Sequence, residues 1–316
     1  MMRRALAAVP PASGAVVMAT GIVSIDLSSA GRETLSRVLL CIGTAVWLVL
    51  GALLVARAVL DRPRALREAT SPAALTGVAG TAVLGTRYTL LGWRWAGVAL
   101  LIVAFGIWLV LLGPVLRHWA TPTVGVSFVL AVATQALAVL AATLATSENA
   151  RWLIDAALVA FALGLAFYAF VISRFDWRQL VIGRGDHWVS GGALAISALA
   201  ASKIALAAKD LGVISSPPKI AQLVLWAAAM VWLPALLGFE LLFPRLEYDI
   251  RRWATAFPLG MFASCSFAVG AAVDAAGITR FARIWVWVAF ALWLVLFTAL
   301  VRRCARALHQ SRAGQA

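Results

Sequence analysis

The chain of 316 residues is 63% hydrophobic and only 13% charged, with a mean hydropathy of +0.94. A water-soluble fold of this length has too little polar surface to cover such a composition, which excludes soluble enzymes and points to an integral membrane protein. The formal charge of +14 does not argue for nucleic acid, because the basic residues are scattered over short connections with no soluble domain to gather them into a groove. Those of the tail from Arg302 onward suit anionic lipid instead.

Ten apolar spans follow one another, near 9–28, 35–58, 71–91, 95–116, 122–145, 152–173, 188–208, 219–243, 253–273 and 281–302. Each approaches the roughly 20 residues that cross a hydrocarbon core. They alternate in kind. Odd-numbered spans are built from Gly, Ala, Ser and Thr, whereas even-numbered spans are rich in Leu, Val and Trp, and none of the fourteen tryptophans falls midway along an odd span. Bulky apolar side chains suit lipid, and small residues suit close helix packing or a water-filled path. The expected fold is therefore an all-α integral membrane protein of ten transmembrane helices, arranged as five helical hairpins, with an inner ring of odd helices around a pore and an outer ring of even helices. The longest polar stretch, about 174–187, is only a loop, so a single transmembrane domain is expected over 1–316.

Basic residues are retained on the cytoplasmic side, and they are more numerous at both termini and in the loops after even spans than in the loops after odd spans. Both termini are expected to be cytoplasmic, in the cell membrane. The pair Arg3 and Arg4 before an apolar run imitates a signal peptide, but the alternation that continues through the whole chain favours a retained first helix. Lys203, Lys209 and Lys219, the only lysines, fall at the outer side of the seventh and eighth spans. There they would concentrate anions, or else snorkel to headgroups.

Chemistry-bearing patterns are scarce. His118, His187 and His309 lie in loops or the tail without metal-ligand spacing, and Cys41, Cys265 and Cys304 form neither a disulfide framework nor a metal site. No nucleotide-binding loop or nucleophile elbow occurs, so no catalytic residue, cofactor or metal is expected. Carboxylates are nearly missing from the interiors of the odd spans, which disfavours a cation path. Hydroxyls such as Thr20, Thr81, Ser127, Ser197 and Ser264 are expected to line the pore and offer weak donors to an anion, with gluing of helices as the competing role. Proline marks four odd spans (Pro10 and Pro11, Pro72, Pro122, Pro258), while the seventh carries Gly191 and Gly192 at that place. Pro258 falls inside its helix and bends it. Phe257, beside it in a helix of small residues, is the candidate for a hydrophobic gate, with Phe128 and Phe267 as competitors.

The segment Tyr248-Asp249-Ile250-Arg251-Arg252-Trp253-Ala254-Thr255-Ala256-Phe257-Pro258-Leu259-Gly260-Met261 resembles the tellurite-resistance TehA and C4-dicarboxylate/malic acid transporter family, which includes slow-type anion channels of plant guard cells. Similar stretches are Met18 to Ser24, with Thr20 and Gly21, then Leu84 to Arg87, and Trp188 to Ala200. The resemblance implies a homotrimer in which each protomer has its own pore, closed by the phenylalanine that here is Phe257. The implied function is an anion channel or transporter moving small anions, among them malate- or succinate-type dicarboxylates, with tellurite resistance as a side effect. Arg87, Lys203 and Lys209 would attract the anions, and Gly21, Gly191, Gly192 and Pro258 would complete the pore wall. The alternative is a coupled carrier that exports a dicarboxylate or sulfite by alternating access. An intramembrane enzyme or a scaffold is the remaining class, and the absence of His, Asp and Cys clusters argues against an enzyme.

Overall fold

The computed structural model describes residues 10–216, 218–245 and 247–313. The Arg3 and Arg4 pair lies outside them. We label the long helices α1 (Gly14–Ser29), α2 (Glu33–Leu60), α3 (Thr76–Leu90), α4 (Arg94–Arg117), α5 (Val129–Glu148), α6 (Trp152–Ile172), α7 (Val189–Asp210), α8 (Lys219–Leu242), α9 (Trp253–Val273) and α10 (Ala276–Ala313). Among the described residues nine helices are long and apolar enough to cross a membrane, and no strand is present. The helix that misses that standard is α3. It has 15 residues, and its last turns carry Thr86, Arg87 and Thr89, which lower its hydropathy. The last helix runs well past the expected 281–302, and α2 is followed by a short helix, Arg62–Glu68.

Every odd helix opens on a single 3-10 turn: Pro11–Ser13, Pro72–Leu75, Gly125–Phe128, Asp186–Trp188 and Ile250–Arg252. No even helix among those described does so. Pro11 and Pro72 begin two of these turns, where the missing N–H costs nothing. Pro258 lies inside α9, as its spacing from Trp253 predicts.

The odd helices pack in a closed cycle, α1 on α3, α3 on α5, α5 on α7, α7 on α9 and α9 back on α1. Their side chains are buried almost throughout, whereas α2, α4, α6, α8 and α10 expose apolar faces such as Val59, Trp95, Val159, Val231 and Val295. Small residues allow the close approach. A methyl group built on Gly260 of α9 would stand 2.6 Å from Ile22 of α1, and one on Gly192 of α7 would stand 2.8 Å from Pro258 of α9.

The two sets of helices are joined by a repeated hydrogen bond. The indole of Trp47 (α2) donates to Thr81 (α3) at 2.8 Å, Trp108 (α4) to Thr134 (α5) at 3.0 Å, Trp226 (α8) to Ser266 (α9) at 2.8 Å, and Trp293 (α10) to Thr20 (α1) at 2.9 Å. Each of these four even helices thus anchors on the next odd helix around the cycle. The α6 position lacks the pair and instead uses Tyr168, which accepts from Trp232 of α8 at 3.0 Å. A buried indole N–H needs an acceptor, and a threonine or serine already bonded to its own i−4 carbonyl still has lone pairs to offer.

Candidate functional site

The C-terminal halves of α1, α3, α7 and α9 and the middle of α5 line a cavity of about 620 Å³, with Gln222 of α8 and Thr279 of α10 at its edge. Ile22, Val83, Ala136, Ile196 and Met261, one from each odd helix, lie deepest along their helices. On α9 the lining follows one stripe through Met261, Ser264, Phe267 or Ala268, and Ala271 or Ala272. Phe257 is one helical turn below Met261 on that stripe. It is fully buried and takes no part in the lining. Phe257 therefore stands beneath the cavity, in the first turns of α9.

The charge of the wall is one-sided. The charged side chains on it are Lys203 and Lys209, and no carboxylate lines it. Lys203 is half-buried and Lys209 is exposed. Among the described residues neither is ion-paired. Both lie in the C-terminal half of α7, where cations also offset the partial negative charge of the helix end. At the opposite end the 3-10 turns that open the odd helices pack on one another, and each helix presents its partial positive end there.

The structure redistributes the other predicted residues. Arg87 does not line the cavity: it is buried and donates to Glu33 at 2.7 Å and to Ser36 at 2.9 Å, so its charge is neutralised between α3 and α2. Thr20 and Thr81 face the outer helices as acceptors for Trp293 and Trp47, and each donates its own hydrogen to a carbonyl one turn back. Gly21 faces Val83 of α3, Gly191 faces Trp232, Leu236 and Phe262, and Gly192 and Pro258 face each other. These are helix seams, where a side chain would not fit, and not a pore wall. Ser197 is fully buried and donates to Ala193 at 2.7 Å, while Ser127 accepts from the Val124 N–H at 3.2 Å in the turn before α5. Of the expected hydroxyls only Ser264 reaches the cavity. Phe128 packs against Tyr168 and Phe175, with ring centroids 5.4 and 5.3 Å away, so it belongs to the contact with α6; Phe267 lines the cavity.

Two groups escaped the sequence reading. Asp26 of α1 is fully buried and accepts a hydrogen bond from Ser264, and its Oδ2 has no partner among the described residues. A carboxyl group thus lies directly behind the wall of the cavity, in the last turns of α1. Gln222 of α8 lies at the edge of the cavity, fully buried, and among the described residues neither its amide nitrogen nor its oxygen has a hydrogen-bond partner. An isolated Gln near the start of an even span carries no signal of its own.

Below the ring, Glu240 gathers the loops at the N-terminal ends of α7 and α9. It accepts from Trp188 at 3.2 Å, Arg245 at 3.2 Å and Arg252 at 2.8 Å. Arg245 reaches on to the carbonyls of Leu180 and Val181 at 2.9 and 2.8 Å. Outside the membrane-spanning segments, Arg251 holds the Asp249 carboxyl below its ordinary range, and Asp249 caps the turn before α9 through the Arg251 N–H at 2.9 Å. No cluster of His, Cys, Asp and Glu suited to a metal occurs among the described residues.

Residues 8–301 match the family model described as voltage-dependent anion channel, SLAC1. The chain belongs to this family. The SLAC1 match covers all ten long helices apart from the end of α10 and makes the chain a multi-pass membrane protein of an anion channel and transporter family. It is also similar to an uncharacterized membrane protein of Mycobacterium tuberculosis, in strains CDC 1551 / Oshkosh and H37Rv, with 28% identity over 132 residues, which is 40% of this chain and 67% of the relative.

Proposed function

We propose that this protein passes small anions across the cell membrane through the axis of the odd-helix ring, with the lysine-bearing cavity as the outer vestibule and Phe257 as the gate. The observation that carries this reading is the sign of the wall: among the described residues it holds two lysines outside any ion pair and no carboxylate. An anion entering from outside meets Lys209 and then Lys203, loses water against an apolar wall, and reaches the level where five helix N-termini favour negative charge. Phe257 closes that level with a hydrophobic plug, which excludes ions by dewetting.

In this proposal α3 with its preceding turn is the tenth span, the helices form five hairpins, both termini are cytoplasmic, and the protein is a homotrimer with one pore in each protomer. The cargo includes C4-dicarboxylates such as malate or succinate and chloride-like anions, and tellurite resistance would follow from anion permeability. The test is ionic current across planar bilayers holding purified protein, with chloride and malate offered separately, for the wild type and for Phe257→Ala. Anion-selective current that grows in the variant is expected. A bilayer without anion current, holding protein of verified folding, refutes the proposal.

Asp26 favours one second reading, a coupled carrier. An ionisable group beside the pathway is what a carrier needs to link anion movement to protons. Saturable flux that requires anion on both sides, or that moves protons with the anion, would select this reading.

A further inference from the structure

The polar stretch between α6 and α7 reads as a plain loop in the sequence, and the fold makes it a built element. Thr123 and Phe175 pair side by side: the Thr123 N–H donates to the Arg174 carbonyl and the Asp176 N–H to the Thr123 carbonyl, each at 2.9 Å. The Asp176 carboxylate accepts from the Arg178 N–H at 3.0 Å and leads the chain into the short helix Gln179–Ile182. Arg245 then holds the carbonyls of Leu180 and Val181. With both ends fixed, Phe175 and Leu180 are buried, while Trp177 is 58% and Ile182 63% exposed.

The depth of that outward face decides what covers it. The Trp177 ring stacks on Trp232 of α8, with centroids 6.0 Å apart and 12° between the planes. Trp232 stands ten residues before Leu242, the end of α8, which is about 15 Å along a helix. It also donates to Tyr168 of α6. Trp177 therefore lies on the outside of the bundle within the depth that α8 crosses, where the neighbouring medium is acyl chain and a soluble partner has no access.

Charge selects the headgroup. Arg174, Arg178 and Arg184 are all exposed along the same stretch. Arg174 lies over the Phe170 ring at 4.5 Å and bonds only to Ser173 and the Phe170 carbonyl. The Arg178 side chain has no hydrogen bond or ion pair among the described residues. Arg184 is 69% exposed and comes no nearer than 3.9 Å to the Asp249 carboxylate. The carboxylate within residues 174–184, that of Asp176, is spent on the Arg178 N–H and the Gln179 amide.

We infer that residues 174–184 form an interfacial foot that docks on anionic phospholipid. Trp177 and Ile182 enter the acyl chains, and the three guanidinium groups meet a headgroup layer of net negative charge. Arg245, which holds the foot, also bonds to Glu240, and Glu240 accepts from Trp188 and Arg252 at the starts of α7 and α9. The lipid contact and the inner ends of those two helices thus share one scaffold.

A contact quencher tests the docking. Full-length protein with Cys41→Ser, Cys304→Ser and Ile182→Cys is labelled with bimane and placed in vesicles of phosphatidylcholine, phosphatidylglycerol or an equal mixture, one lipid at a time carrying brominated chains. Either brominated lipid alone is expected to quench the label. In the mixture at about 0.01 M salt, phosphatidylglycerol is expected to be preferred at least about fivefold, the equivalent of one arginine at a membrane surface, and less so at about 1 M. Arg178→Gln combined with Arg184→Gln brings the preference to within about twofold of parity. If Ile182→Cys does not fold, Val181→Cys carries the label. A label that neither lipid quenches means that a second copy or water covers the face, and overturns the proposal. Equal occupancy by the two lipids overturns it as well, and so does a preference that the double change leaves intact. No anion movement enters these readouts, so their outcome is independent of the anion-passage reading.

Discussion

Replacing Lys203 with Met tests the electrostatic reading with a magnitude and a sign of salt dependence. The ammonium of Lys203 is half-buried at the wall of the cavity. For a monovalent anion at a distance of about 5 Å, Coulomb attraction is ~0.8 kcal/mol at the permittivity of water and ~3 kcal/mol at an effective value of ~20. A half-buried group lies between those limits, so Lys203→Met is expected to lower anion conductance about tenfold in dilute salt, since ~1.4 kcal/mol is one decade. Lys209 is exposed, and the same change there costs less. Both effects shrink as salt is raised, because the screening length falls from ~30 Å at 0.01 M to ~3 Å at 1 M. The assay is single-channel or macroscopic conductance in planar bilayers at these two concentrations. A Lys203→Met deficit that is as large at 1 M as at 0.01 M would mean that the lysine acts by packing and not by charge. A Lys209→Met deficit larger than that of Lys203→Met would contradict the burial argument.

Phe257→Ala should raise basal anion current several-fold, and Phe257→Leu, which keeps an apolar plug, should raise it less; current recordings on the pair separate gating from loss of fold. Gly260→Val drives a side chain into Ile22, since even a methyl group there stands 2.6 Å away. It is expected to cost about 1–3 kcal/mol, read as a lowered melting temperature in detergent, whereas Gly77→Ala, with open space around its α-carbon, stays within about 1 kcal/mol of wild type. The Trp293 and Thr20 pair should show a coupling of about 0.5–1 kcal/mol in a double-mutant cycle of Trp293→Phe and Thr20→Val, and additivity of the two would leave the repeated indole bond without energetic weight. Asp249 has its carboxyl held below the ordinary 3.8 by Arg251, so its contribution is complete above that value and is lost as pH falls through the lower folded value. Asp249→Asn should therefore destabilise the protein at neutral pH, with the gap to wild type closing in strong acid.

The alternation of small-residue and bulky spans is legible because burial on every face constrains composition over a whole helix. Helices that must approach on both sides select Gly and Ala, and the closed cycle of α1, α3, α5, α7 and α9 is the geometric form of that preference. What composition does not encode is the direction of an individual side chain. Thr20 and Ser264 look alike in the chain, yet Thr20 turns outward to Trp293 and Ser264 turns inward to the cavity. Their difference is set by partners far away in sequence: Trp293 stands 273 positions from Thr20, and Asp26 stands 238 positions from Ser264.

The same distance effect explains the reversal in the role of the hydroxyls. Read along the chain, a ring of Ser and Thr suggests donors for an anion. In the fold, helical hydroxyls bond to their own i−4 carbonyls, as Thr86 and Ser202 do, and this local bond is available to every Ser or Thr within a helix. The hydroxyls of the wall consequently present lone pairs to the cavity, and Lys203 and Lys209 are its charged donors. Ser264 departs from the local rule, because its hydrogen goes to Asp26 on α1 and not to a carbonyl of its own helix, and that bond depends on a partner no local pattern announces.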